Sequence, residues 1–130
     1  MTATHASLFD VVPKSDPLNL WSSDGLDYRE VSELLEYGKN ELSKLAGVAK
    51  SSVRFDAKIP RDLKERLEEI AVIASLVAEY FEGDGEKTAL WFRMPNPMLG
   101  GVAPRDMIRR GRYNKLLNFV LQAQDEQTQH

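Results

Sequence analysis

The sequence predicts an all-α protein of about seven helices joined by short links. Three observations predict it. Apolar residues recur at helical spacing, most clearly at Leu63, Leu67, Ile70, Ala74, Val77 and Phe81. Helix-starting and helix-ending residues punctuate the chain at Asp27, Asn40, Gly47, Pro60, Pro104 and Gly111. Strand candidates carry no weight, since Val11-Val12 and Ser52-Val53 are too short. The expected architecture is an N-terminal helix-turn-helix joined by a long central helix to a small C-terminal helical domain.

Taken in order, residues 1–22 read as a flexible N-terminal arm. Pro13 and Pro17 break any helix there, and Leu18, Leu20 and Trp21 are available to dock on the body. A first helix starts at Asp27, which caps it with Glu30 three residues on, and stops at Gly38. A second covers about 40–46, with Asn40 as its cap and Gly47 as its end. A third short helix is expected over about 50–55. These make a helix-turn-helix region over 23–59. The long helix runs over 60–81, opened by Pro60. Its second half adds a second apolar stripe at Ile73, Leu76 and Tyr80, so it should be buried on two sides. That makes it a central core helix or a dimer seam through those three residues.

Residues 82–130 form the last unit. After a Gly83-Asp84-Gly85 turn, a helix carries Ala89, Leu90, Trp91 and Phe92. Pro95 and Pro97 force extended backbone around Asn96. Gly100 and Gly101 permit a positive-φ turn. Pro104 opens a short helix that Gly111 breaks, and the last helix places Tyr113, Leu116, Leu117, Val120 and Leu121 on one face. The tail from Asp125 is polar and expected to fray.

Composition mainly excludes. The 130 residues are 42% apolar and 28% charged, with a net charge of −3 and no cysteine. Disulfides, thiolate metal sites and a cysteine nucleophile are therefore ruled out. The two histidines are His5 and His130, so a His-based triad or multi-His metal site inside the fold is not expected. No apolar run nears the roughly 20 residues of a membrane helix, and no secretory signal is evident. The expectation is a cytoplasmic protein without metal or cofactor.

The charge is segregated. From Tyr37 to Arg61 there are six bases and two acids. From Asp62 to Glu86 there are two bases and eight acids, and from Arg105 to Lys115 five bases and one acid. Solvated helix faces account for this pattern equally well, but it also suggests two separate binding faces.

The stretch from Lys39 to Arg54 has helix-turn-helix punctuation. Ser43 is small where two helices would cross, Gly47 supplies the turn, and Val53 closes a small core with Leu42 and Val48. The second helix would offer Lys50, Ser51, Ser52 and Arg54 to a major groove, with Arg54 reaching guanine edges and Lys50 and Lys58 reaching phosphates, and Lys39 is a further DNA-binding candidate. The pattern resembles the Xre/Cro type of helix-turn-helix, with Ser43 where that type usually has alanine. An ordinary helix-helix corner can imitate it.

The run from Trp91 to Ile108 is more specific. It has a helix ending in Trp, then Asn96-Pro97-x-Leu99-Gly100-Gly101-x-x-Pro104, a short helix and Gly111. It resembles the toxin-binding domain of the Xre/MbcA/ParS antitoxins, and departs from it at Ala103, where a hydroxyl or longer polar residue often stands. The order of the two parts also matches. The resemblance implies an antitoxin of a type II toxin–antitoxin system. Such a protein dimerises, binds operator DNA to autoregulate its operon, and neutralises a RES-domain toxin that consumes NAD. For toxin contact the candidates are Asn96, Leu99, Arg109, Arg110, Arg112, Tyr113, Asn114 and Leu117. Arg112 and Tyr113 are the preferred anchors, because Arg and Tyr dominate interface energetics. Asn96 is equally explained by an Asx-turn, and Leu99 by a place in the core.

Two other readings compete. A stand-alone helix-turn-helix transcription regulator would need no toxin partner. An enzyme would need convergent acid–base groups, and no nucleophile–base pair or phosphate cradle is evident.

Overall fold

The computed structural model describes residues 15–128, with side chains to 126. Residues 1–14 of the expected arm, and both histidines, lie outside the described residues. Within them the chain is all-α apart from one small hairpin: β1 (Trp21–Ser22), β2 (Gly25–Leu26), α1 (Tyr28–Leu34), α2 (Lys39–Ala46), α3 (Arg61–Tyr80), α4 (Gly85–Arg93), α5 (Pro104–Arg109) and α6 (Tyr113–Thr128). Single 3-10 turns stand at Lys50–Ser52 and Pro97–Leu99.

The hairpin corrects the expectation that no strand forms. Trp21 pairs with Leu26 and Ser22 with Gly25, antiparallel. It forms because Asp16 organises the turn before it, accepting from the Leu20 and Trp21 amides at 2.7 and 3.0 Å. Leu20 is thereby seated in the core, and Leu18 packs against that core.

Asp27 caps α1 as expected, its carboxylate accepting from the Glu30 amide at 3.1 Å. The end of α1 differs from expectation. The helix closes at Leu34, and the left-handed residue is Glu36 (φ 57°), not Gly38. Gly38 instead starts α2, with extended backbone, which displaces Asn40 into the helix. The reason is that Glu41 reaches back to the Gly38 amide at 2.8 Å, half of a capping box. That amide holds the Glu41 carboxyl below its ordinary range. Gly47 ends α2 at φ 68°, as expected.

The third helix expected over 50–55 is absent. One 3-10 turn spans Lys50–Ser52, and Val53 is already extended and buried. Two causes act together. Consecutive serines compete for backbone hydrogen bonds. Asp56 then gathers the following chain, accepting from the Lys58 amide at 3.0 Å and from Arg54 Nε at 2.7 Å.

The long helix is the axis of the molecule. Helix α3 packs against α1, α2, α4 and α6. Leu63, Leu67 and Ile70 bury its first half, and from Ile70 to Ala78 every residue except Val72 is buried. Ala71, Ala74, Ser75 and Ala78 keep this stretch narrow enough for neighbours on two sides. Of the two readings of the double stripe, the structure has the central core helix. One hydrophobic cluster runs from Leu20 and Leu26 through α3 to Leu116, Leu117 and Val120.

Candidate partner-binding face

The C-terminal loop is fixed by its own turn chemistry. Asn96 Oδ1 accepts from the Met98 amide at 2.9 Å, an Asx-turn. The Asn96 amide donates to the Val102 carbonyl at 3.1 Å, and its carbonyl accepts from Leu99 and Gly101, each at 2.9 Å. Gly100 and Gly101 sit at φ 73° and 82°. Leu99 packs partly buried against the core. Asn96 and Leu99 therefore have the structural roles anticipated for them. Met98 is left 77% exposed at the tip.

The five bases between 105 and 115 divide into two groups. Arg105 is turned inward, donating from Nη1 to the Leu35 carbonyl at 3.0 Å beside Glu36. Arg109 pairs with Asp106 at 2.8 Å. Arg110, Arg112 and Lys115 are exposed and make no ion pair among the described residues. These three line a groove of about 540 Å³ with Met98, Leu99 and Phe119, and no carboxylate lines it. A second groove of about 470 Å³ shares Met98 and Phe119 and is lined by Tyr80, Phe81, Trp91 and Glu126.

Among the remaining candidates, Asn114 is exposed. Leu117 is 0% exposed and belongs to the core, so it offers a partner no surface. Tyr113 is half-buried under the Arg66 guanidinium, 5.4 Å from its ring centre. Burial pushes its phenol up to about 12, with the nearby Arg66 opposing the shift. Reading the sequence did not single out Met98 or Phe119, and it reached Lys115 only as the end of the basic run from Arg105. Met98 carried a signal: an apolar residue at the open position of a tight Asn-Pro-x-Leu-Gly-Gly turn has little core to enter.

Ile73 and Leu76 are 0% and 1% exposed, inside the chain's own core. A seam through them would require that core to open. Tyr80, the third residue of that stripe, is 54% exposed.

At the other end, Lys39, Lys50, Ser51, Arg54 and Lys58 are exposed and Ser52 is half-buried. Ser43 secures the corner between α2 and the 3-10 turn, its hydroxyl donating to the Val48 carbonyl at 2.6 Å. The Arg54 guanidinium lies on Asp56, with Nη2 2.5 Å from Oδ2. The groove-entering helix that the motif implies is reduced to that one turn.

The two ends are tied together. Arg93 donates from Nε to the Leu34 carbonyl at 3.1 Å and from Nη2 to Glu33 at 2.9 Å. Glu36 lies between Arg93 and Arg105, 3.4 and 3.7 Å from them. The buried Tyr37 hydroxyl donates to the Arg105 carbonyl. Burial raises its phenol above the ordinary tyrosine range.

Among the described residues, no cluster of His, Cys, Asp or Glu could hold a metal ion. No helix among them is long and apolar enough to cross a membrane. The arrangement is that of a small helical protein with a basic and apolar face. Residues 76–112 match the family model described as the Antitoxin Xre/MbcA/ParS C-terminal toxin-binding domain. The chain is Xre/MbcA/ParS-like over this segment, which contains the Asn96 loop. It is 29% identical over 98 residues to the Mycobacterial cidal antitoxin MbcA of Mycobacterium tuberculosis and of Mycobacterium bovis, covering 74% of this chain and 77% of the relative. The crystal structure of the M. tuberculosis MbcT–MbcA toxin–antitoxin complex contains a chain 24% identical to this one. The match covers 72% of this chain and 86% of that one, with a TM-score of 0.49.

Proposed function

We propose that this chain is the antitoxin of a type II toxin–antitoxin pair and neutralises its toxin by binding it through the C-terminal face. The observation that carries the reading is a coincidence of place. The matched segment 76–112 builds the Met98 loop and supplies Arg110 and Arg112 to the basic groove. The toxin class comes from the resemblance: a RES-domain enzyme that consumes NAD. Co-expression with the product of the adjacent reading frame tests it. Expected is restored growth and NAD level when this chain is in excess. Continued NAD depletion under that excess would sink the neutralising role.

Autoregulation through operator DNA is the second part of the reading. It is supported by the ordered α2–Gly47 corner and by Lys39, Lys50 and Lys58, exposed and without ion pairs among the described residues. It is tested by gel retardation of the DNA upstream of its own gene. A homodimer inside a larger toxin–antitoxin complex completes the proposal, and light scattering of the pure chain reads it.

A further inference from the structure

The two C-terminal grooves meet along a ridge made by Met98 and Phe119, the two residues that line both. Met98 is the most exposed of the large apolar side chains in the described residues. Its exposure is not that of a loose loop, because Asn96 pins its amide and Gly100 and Gly101 fix the turn behind it. Met98 shares its groove with Phe119, Trp91 and the exposed Tyr80, and a contiguous apolar patch of this kind marks an interaction site. The flanks of the ridge differ in chemistry. One carries Arg110, Arg112 and Lys115 with no carboxylate in its lining. The other is rich in aromatic rings and carries one carboxylate, Glu126.

We infer that this ridge is the docking site for the toxin, and that it selects an acidic, amphipathic protein surface. This rests on the antitoxin reading above. The partner would lay an aliphatic or aromatic side chain against Met98, Phe119 and Tyr80, and would present carboxylates to Arg110, Arg112 and Lys115. Nucleic acid fits one flank only: phosphates would satisfy the three cations but leave Met98 and Tyr80 against water. A protein surface with an apolar centre and an acidic edge satisfies both flanks. Desolvated apolar anchors supply affinity, and the charges supply orientation and association rate.

The test uses the full chain and the polypeptide encoded by the adjacent reading frame, with binding measured by calorimetry. Three variants are compared: Met98→Glu, the double change Arg112→Glu with Lys115→Glu, and Arg61→Glu as a distant charge reversal. All the changed side chains are exposed, and thermal melting confirms folding. Expected is binding by the wild type and by Arg61→Glu, with at least a tenfold loss for Met98→Glu and for the double variant. Added salt should weaken the wild type more than the double variant. Wild-type binding with undiminished affinity in both ridge variants would overturn this site and leave the antitoxin reading standing. No binding by the wild type would bring down that reading, and this inference with it. Loss of retained DNA in the double variant, with polypeptide binding intact, would assign the groove to phosphate and overturn the inference.

Discussion

Arg105 Nη1 lies 3.0 Å from the Leu35 carbonyl oxygen, a hydrogen bond across seventy positions of sequence. Helix α1 ends with carbonyls that have no partner inside the helix. Arg93 takes those of Glu33 and Leu34, and Arg105 takes that of Leu35. A single carboxylate, Glu36, faces both guanidinium groups. The α1–α2 end of the chain and the C-terminal loop are therefore parts of one packed body.

Replacing Arg105 with Met keeps much of the side-chain stem and removes the donor. The Leu35 carbonyl then loses its charged partner. Stability should fall by about 1–3 kcal/mol, read as a lower urea midpoint with unchanged slope. An unchanged midpoint would show that water replaces the guanidinium at no cost.

Gly100→Ala and Gly101→Ala test the loop. Both residues have positive φ, and a Cβ at either would meet nothing within 4 Å. The penalty is therefore conformational, roughly 1–2 kcal/mol per site. Thermal melting should show a lower midpoint for each. Asn96→Ala should lower it by a similar amount, about 1 kcal/mol, through loss of the Asx-turn.

Alkaline pH should destabilise the protein. Burial raises the Tyr113 phenol to about 12 and raises Tyr37 as well. Above the ordinary tyrosine value of 10.0, the unfolded chain loses phenolic protons that the folded chain keeps. Stability is then fully present below about pH 10 and is lost as pH rises towards 12. Melting temperatures from pH 8 to 11 should decline, and Tyr113→Phe should flatten part of the decline. An identical slope in that variant would remove Tyr113 as a contributor.

Ile73→Glu and Tyr80→Glu separate core from surface. Ile73→Glu buries a charge without a partner and should prevent folding. Tyr80→Glu should stay folded, because its side chain is half exposed. Circular dichroism and light scattering read both variants. A folded Ile73→Glu chain of halved mass would restore a seam at that position.

Arg54→Ala should leave the melting temperature unchanged, since its pair with Asp56 is solvent-exposed. On the autoregulation reading it should weaken retention of the upstream DNA while leaving toxin neutralisation intact. Retention equal to wild type would remove Arg54 from that surface.

Local signals in the sequence determined most of the helical layout. The Asp27 cap, the Gly47 stop, the Pro104 start and the Asn96 to Gly101 turn each depend on near neighbours, so they were legible from spacing alone. The long apolar stripe likewise identified α3, and its second stripe showed a helix buried on two sides. Elements that depend on distant partners were not legible. Nothing local places Glu36 in a left-handed conformation, or shows that Asp56 draws the chain away from a third helix. The hairpin at Trp21 needs Asp16 to organise it and a core to receive Leu20. The basic run from Arg105 to Lys115 was visible as charge, but its division was decided only by tertiary structure. Arg105 caps a helix that lies seventy positions away, while Arg110, Arg112 and Lys115 face an open groove. Sequence spacing reports what a residue's own turn of helix requires. Which cations remain available to a partner depends on which carbonyls and carboxylates the fold brings beside the others.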